Sequence, residues 1–150
     1  GEAAVALRLA DREDVLEALS RQFQYTPAFA GRERSSELLA AVDPFGDQAD
    51  AFRELRSRLL VEVLDEDSRR ALAVLSADVG DGKTYLAANL AVSFSQLGEN
   101  TLLIDADLHT PRLHQLLGVQ QNGAGLSSVL AGFVSPGALV HEVAGLQDRL

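Results

Sequence analysis

Apolar residues follow two different rhythms along this chain. In the first part they recur at helical spacing; from Ala71 onward they gather into short unbroken runs separated by glycine. Residues 1–24 predict two helical stretches. Asp11 can cap the second, Glu13 and Asp14 lie in its first turn, and Val15, Leu16, Leu19 and Phe23 follow at helical intervals. Residues 25–34, with Pro27 inside them, predict a loop or linker, and a short helix is expected at 35–41. Pro44 and Gly46 mark the next boundary. A longer helix over 47–63 then places Phe52, Leu55, Leu59 and Leu60 on one side, with Arg53, Arg56 and Arg58 elsewhere. Asp65-Glu66-Asp67-Ser68 reads as a solvated loop.

The run Ala71–Ser76 is continuous rather than alternating, which predicts a strand buried on both faces. A loop at 77–83 leads into a helix over 83–97 that carries Leu86, Leu90, Val92, Phe94 and Leu97, and Gly98 ends it. Thr101–Asp105 predicts a second buried strand. Strand, helix and strand in that order make a βαβ unit, whose two strands are normally parallel and whose crossover is right-handed. Further on, a short helix is expected at 112–117, a glycine-rich loop at 118–125, another helix from Leu126, and a strand beginning at Leu146–Leu150. The class is therefore α/β, with a small helical segment in front.

The loop between the first strand and its helix carries the clearest chemistry. Ala77-Asp78-Val79-Gly80-Asp81-Gly82-Lys83-Thr84 matches G-x-x-x-x-G-K-[ST] at every position but the first, where alanine replaces glycine. Lys83 is the only lysine among 13 basic residues. A compact ammonium reaches between phosphates where a planar guanidinium fits poorly. Glycines let backbone N–H groups close round an anion, and the helix that opens at Lys83 favours negative charge at its start. Val79, Gly80, Asp81, Gly82, Lys83, Thr84 and Tyr85 are the candidate nucleotide-binding residues, with Lys83 on the β- and γ-phosphates and Thr84 on Mg²⁺. The bland alternative is a glycine turn with a surface lysine.

Asp105 and Asp107 leave the end of the second strand on alternate positions, and so on one side of an extended chain. Ligands bind at that end of a parallel sheet. Asp105 is placed as a Mg²⁺ ligand and Asp107 as a base for a hydroxyl proton, unless the two merely cap the turn. Asp50, Arg53 and Arg56 recur at i, i+3 and i+6 on the 47–63 helix; by themselves they suit a salt-bridged solvated face better than an interface. His109, His114 and His141 lack H-x-x-x-H spacing, so no zinc site is expected, and G-x-S-x-G is absent.

Charge narrows the partners. The 150 residues carry a formal net charge of −9, and residues 71–150 hold only Lys83, Arg112 and Arg149 as basic groups, which argues against a phosphate-backbone footprint for nucleic acid. No apolar run approaches the ~18 residues of a membrane span. With no cysteine there is neither a disulfide framework nor a thiolate metal site. Methionine is absent too, an initiator included, so a piece of a longer reading frame is expected.

Residues 71–132 resemble the catalytic domain of bacterial tyrosine kinases, in the branch associated with exopolysaccharide chain-length determinants. The resemblance is carried by Leu75–Thr84 with Ala87–Ala91, by Phe94–Glu99, by Thr101–Leu108 with Pro111-Arg112, and by Gly125–Ser127 with Val129–Gly132. It implies a three-layer P-loop fold with a mainly parallel sheet, incomplete at its C-terminus, ATP and Mg²⁺ as cofactors, and tyrosine autophosphorylation. In such a kinase Lys83, Asp105 and Asp107 are the catalytic positions, Asp105 falling in the A-prime Walker motif. Asp50, Arg53 and Arg56 match, with Asp for Glu, a helix motif at the subunit interface of a homo-oligomeric ring. The resemblance further implies a membrane-embedded chain-length-determinant partner and a cytoplasmic location at the inner membrane through that partner. On this basis residues 1–28 are expected to be part of a small helical domain, 29–43 a linker, and 44–150 the first part of the kinase domain, without Walker B or a tyrosine tail. His109 stands where the A-prime motif usually has arginine, and Asp78 where partitioning ATPases place a lysine. A partitioning or septum-type ATPase switch and a nucleotide-binding oligomerisation module are the rival readings.

Overall fold

The structure is a computed structural model that describes residues 2–11, 14–15, 18, 35–64, 71–98, 100–120 and 123–143. Its elements in chain order are α1 (Glu2–Ala6), α2 (Leu39–Val42), α3 (Asp47–Glu62), α4 (Lys83–Ser95), α5 (Leu113–Leu116), α6 (Leu126–Leu130) and a 3₁₀ turn at Pro136–Leu139.

The long helix α4 is the hub. The helices α2, α3 and α5 all pack on it, and α2 also packs on α3. Its sequence explains this: Ala88, Leu90 and Val92 are buried apolar positions, and the small polar residues Asn89, Ser93 and Ser95 are buried between them. Small side chains let neighbouring helices come close, so one helix can serve three partners. Gly82, in the left-handed conformation at φ +84°, begins α4, and Gly98, also at φ +84°, follows its end. The core joins Leu38, Ala40, Ala41, Phe52, Ala88, Val92, Leu113 and Leu116, with Tyr85, Leu86, Leu103 and Leu117 packed against it.

Helix α3 opens after Gly46 with Asp47 and Asp50 in its first turn, where carboxylates meet the positive end of the helix dipole. A side chain at position 46 would require the Asp43 carboxylate to move aside. Asp11 and Asp14 form a reciprocal cap: each carboxylate accepts the other residue's backbone N–H, at 2.8 and 3.0 Å. Most of the helix expected beyond it, and the loops expected at 25–34 and 65–68, lie outside the described residues; so does the strand expected at 146–150.

Residues 35–43, within the stretch expected to be a linker, supply part of the core. Leu38 is fully buried, and Ser35 N–H donates to the Leu116 carbonyl at 3.4 Å. Other expectations need correction. The segments 71–76 and 101–105, read as buried strands, are not strands here, and no β-strand occurs among the described residues. They are also largely exposed: Leu75 by 86%, Leu102 by 67% and Ile104 by 57%. A strand takes its hydrogen bonds from a neighbouring strand and its burial from layers on both faces. Among the described residues only one layer, the helical one, is present. It covers Leu103, which packs on the core between its exposed neighbours Leu102 and Ile104. That alternation is the period-2 signature of a strand with a single covered face. The helix expected over 83–97 ends at Ser95, and that expected over 112–117 spans Leu113–Leu116.

Candidate nucleotide-binding site

The loop 77–82 is closed over its own lysine. Lys83 Nζ donates to Ser76 Oγ and to the Asp78 carbonyl, each at 2.7 Å, so the ammonium folds back over the loop instead of extending into solvent. Gly80, at φ +93°, and Gly82, at φ +84°, hold conformations that a side chain would strain, and nothing lies within 4 Å of where a Cβ would stand on either. The backbone is therefore open to a close-approaching ligand. The Asp78 N–H donates to Asp81 Oδ2 at 3.0 Å. That amide, then the Ser76 hydroxyl, then the Lys83 charge hold the Asp81 carboxyl below the usual aspartate range. Thr84 is the second residue of α4 and Tyr85 the third, both partly buried. The Tyr85 hydroxyl donates to Gln48 Oε1 at 2.9 Å, and its ring meets Phe52 with centroids 5.8 Å apart. Val79 is almost wholly exposed.

The second group forms around α5. Asp105 Oδ2 accepts the N–H groups of Arg112 and Leu113 at 2.9 and 3.0 Å, capping α5 from eight residues upstream, and its Oδ1 accepts Asp107 N–H at 3.2 Å. Asp107 Oδ1 accepts the N–H groups of His109 and Thr110, at 3.0 and 2.8 Å, and its Oδ2 the Thr110 hydroxyl at 2.9 Å. The Thr110 amide, then its hydroxyl, then the His109 amide lower the Asp107 pKa. Both carboxylates thus hold a turn together, and each still carries acceptor positions beyond those bonds. Asp105 follows Leu103 on the covered side of its segment, and Leu103 packs on the same core as Tyr85 and Leu86 from the first turn of α4. Among the described residues no three His, Asp or Glu side chains gather as a metal site. A magnesium ion in such a fold takes one or two carboxylates and substrate phosphates rather than an all-protein cage.

The third group lies on α3. Arg53 pairs with Asp50 and donates to the Pro44 carbonyl. Arg56 reaches across to α4, where Nη1 donates to the Ser93 carbonyl at 2.6 Å and approaches Ser93 Oγ at 3.4 Å. Burial, and secondarily Arg53, lowers its pKa, and its Nε is buried without a partner among the described residues. The triad expected at a subunit interface braces α3 within the chain.

Two tethers escaped the sequence reading. Asn89 is fully buried: its Oδ1 accepts Ala40 N–H at 2.9 Å, and its Nδ2 donates to the carbonyls of Glu37 and Tyr85 at 2.9 and 3.0 Å. Arg112 pairs with Glu37 across 75 positions of sequence. A polar residue in the middle of an apolar helix was the available signal for Asn89; the Glu37–Arg112 pair left none.

Residues 67–140 match the ParA family, described as "NUBPL iron-transfer P-loop NTPase". Among curated proteins, the tyrosine-protein kinase YwqD of Bacillus subtilis is 35% identical over 100 residues, 67% of this chain and 41% of that protein. The tyrosine-protein kinase wzc of Salmonella typhi is 37% identical over 101 residues, 67% of this chain and 14% of that protein. No solved structure gives a significant match. The chain carries a ParA-like P-loop NTPase domain and is homologous, over that part, to bacterial tyrosine-protein kinases. It spans less than half the length of these relatives.

Proposed function

We propose that these residues belong to an ATP-dependent protein-tyrosine kinase that phosphorylates itself and regulates exopolysaccharide chain length and export. The observation that carries this is the Lys83 ammonium folded over a glycine loop at the start of α4, in a chain homologous to tyrosine-protein kinases. In the whole protein, 71–76 and 101–105 pair in a mainly parallel sheet, the middle layer of three; the apolar side chains of Leu75, Leu102 and Ile104, left outside here, support that reading. Residues 44–150 are then the first part of the kinase domain, and 1–28 part of a helical domain before it.

The roles follow from the chemistry of each group. Loop amides and Lys83 bind the phosphates of ATP, and Thr84 with Asp105 would hold Mg²⁺, whose charge offsets that of the phosphates. Asp107 receives the tyrosine proton. A depressed pKa makes it a weak base, which suits phosphoryl transfer, where the transition state is loose and demands little of the base. Asp50, Arg53 and Arg56 would contact the next subunit of a homo-oligomeric ring, and a membrane chain-length-determinant protein would hold the ring at the inner membrane from the cytoplasmic side. Among the described residues no helix is long and apolar enough to cross a membrane.

The iron-transfer wording of the family description finds no thiolate here, since the 150 residues contain no cysteine. A partitioning-type switch would call for a lysine where Asp78 stands. The test is phosphotyrosine on the full-length protein with MgATP, with and without Lys83→Ala. Loss of signal in the variant is expected. Signal that persists overturns the assigned roles, and ATP turnover without phosphotyrosine favours the switch.

A further inference from the structure

Residues 35–43 tie together the two helices that carry the candidate site. Their main chain is strapped to α4, the helix that starts at Lys83. Asn89 accepts the Ala40 N–H and donates to the Glu37 carbonyl, and Gln96 Nε2 donates to the Ala40 carbonyl at 2.7 Å. At the start of the segment, Ser35 N–H donates to the Leu116 carbonyl at the end of α5. Leu38 is buried in the core with Leu113 and Leu116, and Ser35 Oγ accepts the Glu37 N–H at 3.2 Å. The Glu37 backbone is therefore held on both sides, and its carboxylate pairs with Arg112. Arg112 in turn offers its own N–H, with that of Leu113, to Asp105 Oδ2. One residue thus meets α4 through its carbonyl and the Asp105 turn through its side chain. We propose that Glu37 is a positioning residue for Asp105: through Arg112 it holds the Asp105 carboxylate in register with the phosphate loop.

This rests on the reading of Asp105 as a Mg²⁺ ligand and adds to it a residue that lies before the matched stretch 67–140. A ligating carboxylate keeps its orientation only when its own hydrogen-bond partners are fixed, and Arg112 supplies one of those partners. The Glu37 and Arg112 side chains are 39% and 48% exposed, so solvent screens the pair. Its loss should leave the core folded and weaken the metal-dependent part of binding a few-fold rather than abolish it.

The experiment compares the full-length protein as wild type, Glu37→Gln, Arg112→Gln, the double variant and Lys83→Ala. Amide hydrogen exchange is read at Leu113 without metal or nucleotide, and ADP binding by calorimetry in Mg²⁺ and in EDTA. Glu37→Gln is expected to speed exchange at Leu113 and to weaken ADP binding by about three- to fivefold in Mg²⁺, with little change in EDTA. Arg112→Gln should do the same, and the double variant no more than either single one, since both substitutions break one pair. Additive losses would show that Glu37 does not act through Arg112 and overturn the proposal. Unchanged exchange and binding, equal weakening in both media, or faster exchange with an unaltered Mg²⁺ dependence would each refute the positioning role. In those cases a Lys83→Ala protein that fails to bind leaves the phosphate site standing. Lys83→Ala binding as tightly as the wild type, or a wild type that does not bind, removes the phosphate-site reading and this one with it.

Discussion

Lys83 and Asp107 are each tied within the chain, and each has a proposed second role. The lysine is held by two oxygens of its own loop, and phosphate contacts would replace those bonds at little cost in charge. Truncating it to alanine is expected to lower phosphotransfer by about a hundredfold or more, the scale of losing one preorganised charge at a transferring group. Asp107 is tied by two amides and a hydroxyl, which lowers its pKa. A carboxyl with a lowered folded pKa stabilises the fold above its unfolded value, near pH 4, and loses that contribution as pH falls through the folded value. Acid titration of stability should therefore fall more steeply for the wild type than for Asp107→Asn between about pH 5 and pH 2. Superimposable curves would show that the turn does not depend on the charge.

Among the elements, α4 decides the arrangement, and its neighbours are fixed to it by polar ties as much as by apolar contact. Asn89→Leu would leave a buried amide and two part-buried carbonyls without their side-chain partner, at a cost of about 2–4 kcal/mol, measurable as a fall in denaturant midpoint. Arg56→Ala removes the brace to Ser93 and the packing of its stem, and is expected to destabilise the isolated subunit by about 1–2 kcal/mol. A variant that changes ring assembly alone, with unchanged subunit stability, would assign Arg56 wholly to the interface. The helices were legible because their signals are local: the apolar spacing of 47–63 falls within one residue of α3, and the glycines at 82 and 98 bracket α4. The short helix expected at 35–41 is present as α2, but the core role of that segment and the role of Asn89 were not legible, since they depend on partners about fifty positions away. Leu38 and the alanines after it form too short a run to announce a core.

For the whole molecule, the sequence pattern and the described structure part company at the sheet. The runs 71–76 and 101–105 have the composition of buried strands, yet a strand is defined by what lies beside it, and composition cannot supply a neighbour. The loop and the Asp105–Asp107 turn were legible as chemistry because their spacing is local; the bonds that close the loop on Asp81 were not, since they depend on its folded conformation. In the full-length protein, amide hydrogen exchange across 71–76 and 101–105 is expected to be slow, as in a paired central sheet. Fast exchange in both segments would contradict the three-layer arrangement.

The most direct test follows backbone amide resonances as MgATP is added to the full-length protein. The largest shifts should fall on Gly80, Gly82, Lys83 and Thr84, with smaller ones at Asp105 and Asp107, and Lys83→Ala should abolish them. Shifts that are absent from 79–85, or that persist unchanged without the lysine, would contradict a phosphate site in this loop.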